Sequence, residues 1–383
     1  IRYPFGLSLD IIRELAEDLI VYCLVSSSQQ NSALNSMNSA SVDTNNIEFI
    51  TGPTDSYWTR DYGPWWVVDG NSNMSIVDFT YNRPRPNDND APMKTSQLLN
   101  VPYYSVDIVH AGGNYMTDGY GTSASSNLVY EENAMSNDAL DNLMNAYYGI
   151  NTYHVIADPN NTYIEHIDCW GKYLSPTKVL IREVPISHPQ YDEIESAAIY
   201  FSEALNFWGE PWGVFRVWTP NDQPYTNSII VNNKVLVPIV NSSWDDEALD
   251  VYETALPGYE VIGFTGAWES TDALHCRVKG IPDLEMLQIF HKPLRDTIAP
   301  NLSQPQGYEL ELDINDLSGS GIVEQSVKVF WKNEAMPDYD STLLYQSDVP
   351  EDPDKYSGSI PVQAFESNIR YYVQGADSSG RIE

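Results

Sequence analysis

The chain has 383 residues, 42% of them apolar and 26 of them tyrosine, which suits two packed domains better than one. Its 20 Lys and Arg against 54 Asp and Glu leave a formal charge of −34. That excludes the basic footprint of a nucleic-acid binder and suits cationic ligands drawn in from a distance, with a solubilising acidic surface as the plainer alternative.

No run of about 18 apolar residues occurs, so no membrane span is expected. Three cysteines, Cys23, Cys169 and Cys276, are an odd number and make no disulfide framework, which leaves a Cys23–Cys169 bridge open. The chain starts at Ile1 without a methionine or signal peptide, so processing or an incomplete first module is expected.

In chain order, "LDIIRELAEDLIVYCLV" (9–25) has helical spacing at Ile11, Ile12, Leu15 and Ala16, then reads as a strand. Residues 26–46 are polar and allow a weak helix, and "IEFITG" reads as a strand. "WWVVDGNSNMSIVDFTY" (65–81) predicts two strands joined at Asp69-Gly70. "AMSNDALDNLMNAYYG" (134–149) predicts a helix capped by Ser136 or Asn137.

"KYLSPTKVLIREV" and "SIIVNNKVLVPIV" predict strand pairs, the second turning at Asn232-Asn233. "YDEIESAAIYFSEALNFWG" predicts a helix to near Gly209, and "DDEALDVYETALPGYEVIGF" a helix and then a strand. The recurring strand, strand, helix, strand unit suggests related α/β modules. The last stretch differs: "YELELDI", "SVKVFWKN", "GSIPVQAF" and "IRYYVQGAD" alternate like sandwich strands. The expected boundary lies in "PLRDTIAPN", giving domains 1–296 and 297–383.

Several stretches could carry chemistry. In "YWTRDYGPWW" (57–66), Asp61 sits among aromatic rings, either as a staple to Arg60 or waiting for an external cation. In "YIEHIDCW" (163–170) a strand reading puts His166 and Asp168 on one face, where the carboxylate would raise the imidazole pKa and orient the ring; a hydrogen-bonded core pair is the alternative. In "STDALHCRVKG" (270–280) Cys276 is either a small core residue or a reactive thiol near cations, and a strand reading turns His275 away from it. "FTYNRPRPNDND" (79–90) carries Arg83 and Arg85, which an extended proline-rich backbone would set on one side as an anion clamp, unless Asp88 or Asp90 pairs with them. "HAGGNYMTDGYG" (110–121) matches no phosphate-binding loop, and its His110 reads as a core or turn residue. Neither "NDNDAP" nor "DVPEDPDKYSG" matches a calcium loop, and no zinc spacing occurs.

With these stretches in hand, the sequence resembles the Porphyromonas-type peptidylarginine deiminases of the guanidine-modifying superfamily. The carrying motifs are "WTRDYGPWW", "DFTYNRPRPND", "HAGGNYMTDGYG", "YIEHIDCWGK", "PYTNS" and "STDALHCRVKG", in order across residues 50–290. The resemblance implies a five-bladed α/β-propeller (pentein) followed by an immunoglobulin-like sandwich. It implies Cys276 as nucleophile, His166 as general acid/base, and Asp61 and Asp168 as guanidinium-binding carboxylates. It places Trp58 and Tyr163 beside the side-chain slot, Asn227 near the site, and Arg83 and Arg85 on the α-carboxylate of a C-terminal arginine.

The implied activity is deimination of arginine to citrulline and ammonia through a thiouronium adduct, on peptides or proteins ending in arginine, with no metal and no cofactor required. The implied location is secreted or at the bacterial cell surface. A deiminase of agmatine or free arginine is the runner-up. A cysteine hydrolase is weaker, because two carboxylates would repel an oxyanion. A non-catalytic adhesion protein is the remaining class.

Overall fold

The computed structural model describes residues 1–295, 298–300, 307–349, 352, 354–364 and 366–383. The chain divides into two compact units: Ile1–Val67 with Ser75–Ile281, and Val68–Met74 with Pro282–Glu383.

The first unit is built from five small sheets. One pairs β1 (Val21–Val25) with β2 (Ile47–Thr51); the next holds β3 (Trp65–Val68), β4 (Met74–Tyr81) and β5 (Tyr103–His110). Then come β6 (Met116–Thr117), β7 (Thr122–Ser126) and β8 (Thr152–Ile156), followed by β9 (Gly171–Ser175), β10 (Lys178–Glu183) and β11 (Gly213–Trp218). The last holds β12 (Ile229–Val231), β13 (Lys234–Ile239) and β14 (Glu260–Thr265). The final two strands of every sheet are parallel. A parallel pair needs a crossover, and here each crossover carries a helix: Gln30–Ser39, Ala91–Leu99, Asn137–Tyr148, Tyr191–Glu203 and Asp245–Ala255. The unit is therefore α/β.

The pattern follows from covered sheets. Val179, Leu180 and Ile181 of β10 are all fully buried. Val179 and Ile181 pack with Ile194, Ala198 and Phe201 of the helix that follows. Leu180 faces the other way, onto Val235 and Val237 of β13 and Ala248 and Tyr252 of the last helix. A strand covered on both faces reads as a continuous apolar run, and each such side chain contributes roughly 1.5–3 kcal/mol.

Local signals hold where turn or cap chemistry is explicit. Ser136 accepts from the Ala139 N–H and starts its helix, and Asp69 Oδ1 accepts from the N–H groups of Asn71 and Asn73 in the β3–β4 turn. The helix expected to reach Gly209 ends at Glu203. Ala204 is already extended, and Asn206 Oδ1 takes the N–H groups of Trp208 and Glu210 into a turn instead.

The second unit is all β. One sheet holds β15 (Leu287–His291), β16 (Gly307–Asp316), β20 (Lys355–Pro361) and β19 (Tyr345–Gln346); the other holds β18 (Asp340–Leu343), β17 (Lys328–Lys332) and β21 (Arg370–Gln374). Every recorded pairing is antiparallel. Leu310, Leu312 and Ile314 alternate inward and share one core with Val329, Trp331 and Ile360. Asp296 and Thr297, the expected domain boundary, lie outside the described residues. The division falls earlier, before Pro282, because Leu287–His291 pairs along β16 from Asp316 to Leu312.

Candidate active site

The candidate residues arrive on short turns. Asp61 lies on the Thr59–Tyr62 turn before β3, Gly113 on Gly112–Asn114 before β6, and Asp168 on Ile167–Cys169 before β9. Asn227 precedes β12, and Cys276 lies on the His275–Arg277 turn after β14. The same place in successive modules thus feeds one cluster.

Gly113 measures the convergence. A Cβ there would stand 2.5 Å from His166 Nδ1, 2.9 Å from Asp61 Oδ1 and 3.2 Å from Asp168 Oδ2. Only a glycine lets the backbone in this close. Its N–H donates to Asp61 Oδ1 at 3.2 Å, and Tyr81 Oη donates to Asp61 Oδ2 at 3.4 Å. His166 Nδ1 is 3.7 Å from Asp61 Oδ1. Cys276 Sγ is 3.7 Å from Asp168 Oδ2 and 3.3 Å from Asn227 Nδ2. Asn227 Oδ1 in turn accepts the Cys276 N–H at 3.3 Å, so the amide fixes the turn that carries the sulfur.

All four implied catalytic groups are buried. Burial comes first in pushing the Asp61 carboxyl up to about 7, with Asp168 adding to it. Burial also raises Asp168 to about 6, against the pull of Lys172 and Arg60. Burial, Asp168 and Asp61 hold the Cys276 thiol well above its usual range. For His166 the expected direction is reversed. Burial, then Arg83 and His110, bring it down to about 3, so desolvation outweighs the carboxylate neighbour.

Other expectations are corrected. The 163–170 stretch is not a strand: Glu165 has φ 51°, and residues 167–169 form a 3₁₀ turn in which Ile167, Asp168 and Cys169 are all buried. His275 is not turned away either; its Nδ1 lies 2.7 Å from Asp168 Oδ2. The Arg83–Arg85 backbone is a tight turn, with the Arg85 N–H on Arg83 O at 2.7 Å, instead of an extended run. Asp88 does not pair with either arginine; it takes the N–H groups of Asp55 and Ser56. Arg83 lies 3.9 Å from Glu132, and Arg85 stacks 4.4 Å from the Trp58 ring centroid while donating to Tyr81 Oη.

The aromatic surroundings of Asp61 divide. Trp65 joins Phe79 and Tyr115 in the core, and Tyr62 donates to Ser56 O. Tyr163 is 85% exposed and walls no enclosed slot in this structure. All three cysteines are free. His110 is a core residue, packed on Phe79 and Tyr115. Among the described residues no group of three or more His, Cys, Asp or Glu is arranged to hold a metal ion.

Sequence reasoning missed Lys172 and offered Arg60 only as a staple to Asp61; the close backbone approach that the Gly-rich 110–121 stretch allows is made by Gly113. Lys172 is a buried β9 residue whose pKa is brought down to about 7 by burial, with Arg60 adding to it; nothing in its local pattern distinguishes it from a snorkelling surface lysine.

A flat cation fits this arrangement. Two carboxylates can each accept paired N–H bonds at its rim while a thiol meets its face. The chain is similar to several known proteins. An agmatine deiminase of Pseudomonas aeruginosa (strain LESB58) is 23% identical over 274 residues, 59% of this chain and 74% of that protein. The solved agmatine deiminase of Enterococcus faecalis superposes with a TM-score of 0.60 at 18% identity, over 67% of this chain and 81% of that one. A Porphyromonas gingivalis structure gives a TM-score of 0.62 at 19% identity, over 70% and 86%. At such identities these structures speak for the fold. Fold and family together define a deiminase of guanidino groups, a hydrolase acting on C–N bonds. More narrowly, the chain belongs to the Porphyromonas-type peptidyl-arginine deiminase family, whose model matches residues 7–282.

Proposed function

We propose that the chain hydrolyses the guanidinium of a small molecule of the agmatine kind to a ureido group and ammonia. The observation that carries the chemistry is the meeting of His166, Asp61 and Asp168 around Gly113 with Cys276 beside Asp168. The curated and solved relatives named agmatine deiminase favour the small substrate.

In the substrate-free site Cys276 is a thiol and His166 a neutral imidazole. An arriving guanidinium between Asp61 and Asp168 favours the thiolate, whose proton passes to His166. Sulfur attacks the central carbon, His166 protonates one nitrogen, and ammonia leaves. Water then attacks the thiouronium carbon as His166 takes its proton. The C–S bond breaks as the new hydroxyl gives up its proton to solvent, where it converts the released ammonia to ammonium; the ureido product departs, and His166 returns its own proton to sulfur. Thiol, imidazole, carboxylates and water balance the reaction, so no cofactor enters.

A second reading, C-terminal arginine of a peptide or protein, keeps one observation in its favour: Arg83 acts electrostatically on both Asp61 and His166. Ureido product is measured on agmatine, free arginine, a C-terminal-arginine peptide and an internal-arginine peptide. The expected order puts agmatine first; a C-terminal-arginine peptide in that place installs the second reading. On that reading Arg83→Ala or Arg85→Ala lowers kcat/KM for the peptide about tenfold to a hundredfold and spares agmatine. Equal losses on both remove the clamp. No ammonia from any of the four would return the chain to the surface-module class.

The five sheets are proposed as blades of an α/β-propeller, and the second unit as an immunoglobulin-like module. Export to the medium or cell surface is proposed because such a module accompanies secreted members of the resembled group. Recovery of the chain only from the cytosolic fraction would overturn that.

A further inference from the structure

We propose that His275 is a positioning residue, holding the Asp168 carboxylate in the site through an Nδ1–H···Oδ2 hydrogen bond. This rests on the deiminase reading above and adds a group to it. The contact is 2.7 Å long and both side chains are buried.

The two carboxylates of the site are held differently. Asp61 has a donor on each oxygen, Gly113 N–H and Tyr81 O–H. The hydrogen bonds from Thr226 and Asn227 reach only the Asp168 backbone carbonyl. On the Asp168 carboxylate itself the remaining contacts are thiols, Cys276 on Oδ2 and Cys169 on Oδ1, each at 3.7 Å. His275 is the short contact among the described residues, and thiols are weak donors.

His275 is itself fixed. Its N–H donates to Asn227 O at 2.9 Å, and its carbonyl accepts from Arg60 Nε at 3.4 Å. One 3₁₀ turn therefore delivers both the sulfur and the imidazole that orients the facing carboxylate. Charged or titratable groups acting on Asp168 or His275 are Asp61, Cys276, Cys169, Lys172, Arg60, Lys279 and His166. Burial, then Arg60 and Lys172, keep His275 far below its usual pKa. A neutral ring facing an ionised carboxylate carries its proton on Nδ1.

The bond favours the ionised form of Asp168, so losing it raises that pKa. The acid limb of kcat/KM, which reports the free enzyme, should then move to higher pH. The test measures pH profiles on the best guanidino substrate for wild type and His275→Ala, His275→Asn and His275→Gln. Asn places its amide nitrogen where Nδ1 stands; Gln carries it one bond further.

His275→Ala is expected to lose about tenfold to a hundredfold in kcat/KM, with the Asp168 step of the acid limb, which lies below the Asp61 step in the wild type, moved up by about one to two pH units. Asn restores both and Gln does not. An unmoved acid limb in folded His275→Ala, or Gln rescuing as well as Asn, overturns the proposal. If the alanine variant does not fold, the Asn and Gln comparison decides. A wild type that releases no ammonia removes the deiminase reading and this inference with it; an active wild type with unmoved variants removes this inference alone.

Discussion

Replacing Cys276 by alanine is expected to bring ureido formation to background, a fall of about 10⁴-fold or more, the scale seen when a nucleophile is removed from a covalent catalyst. The size follows from the substrate. A guanidinium spreads its charge over three nitrogens and is a poor electrophile, so water alone adds slowly even when Asp61 and Asp168 hold the plane. On the proposed mechanism the Cys276 sulfur supplies the first bond and divides one hard displacement into two easier ones. The variant should keep its fold, because Asn227 still holds the Cys276 N–H and the Asp168 carbonyl after the sulfur is gone. Substrate binding should survive too, and calorimetry with agmatine would register it. Acid quench of the wild type during turnover should show a mass adduct on the peptide bearing Cys276. Activity in Cys276→Ala within tenfold of wild type would take the thiol out of the reaction.

What the sequence could reveal depended on the range of the forces involved. β10 and β13 were legible because a strand covered on both faces needs an unbroken apolar run. The Ser136 cap and the Asp69 turn were legible because their hydrogen bonds lie within a few residues. The 163–170 stretch misled for the opposite reason. Its alternation looked like a strand, yet Asn114 Oδ1, from 53 residues away, takes the Ile167 N–H, and the segment folds into a turn that no local pattern announces. The same misreading hid His275. On a strand it faces away from Cys276; on a 3₁₀ turn it reaches a carboxylate 107 residues distant. The four catalytic candidates were recoverable only from several motifs occurring together in order. Their protonation was not recoverable at all, because burial, which sets the His166 and Asp61 pKa values, is a property of the packed unit. The second unit's start was missed because "LQIFH" is short, and its partner strand begins 16 residues later.

Asp61→Asn is expected to destroy activity while raising stability at alkaline pH. The Asp61 carboxyl is pushed up to about 7 in the folded protein, against about 3.9 in an unfolded chain. A folded-state pKa above the unfolded one means that the folded state holds a proton the unfolded chain has released. That contribution is fully present below about pH 4 and is lost as pH rises through about 7. At pH 8 the folded protein carries an ionised buried carboxylate next to Asp168, and the asparagine amide removes it. The gain expected there is roughly 1–3 kcal/mol, less than the full shift implies because the site can relax, or about 2–4 °C in Tm per kcal/mol. At pH 4 the two proteins should melt together. Activity moves the other way, because a guanidinium deprived of one charged partner loses about 3–5 kcal/mol of binding in the transition state, roughly 10²–10⁴ in kcat/KM. The wild-type profile should show the same groups, with kcat/KM falling between about pH 7 and pH 6 as Asp61 and then Asp168 take up protons. A flat wild-type profile from pH 8 to pH 5, or an Asp61→Asn protein that melts below wild type at pH 8, would show that the carboxylate is stabilised by its surroundings and is not held under strain for a cation.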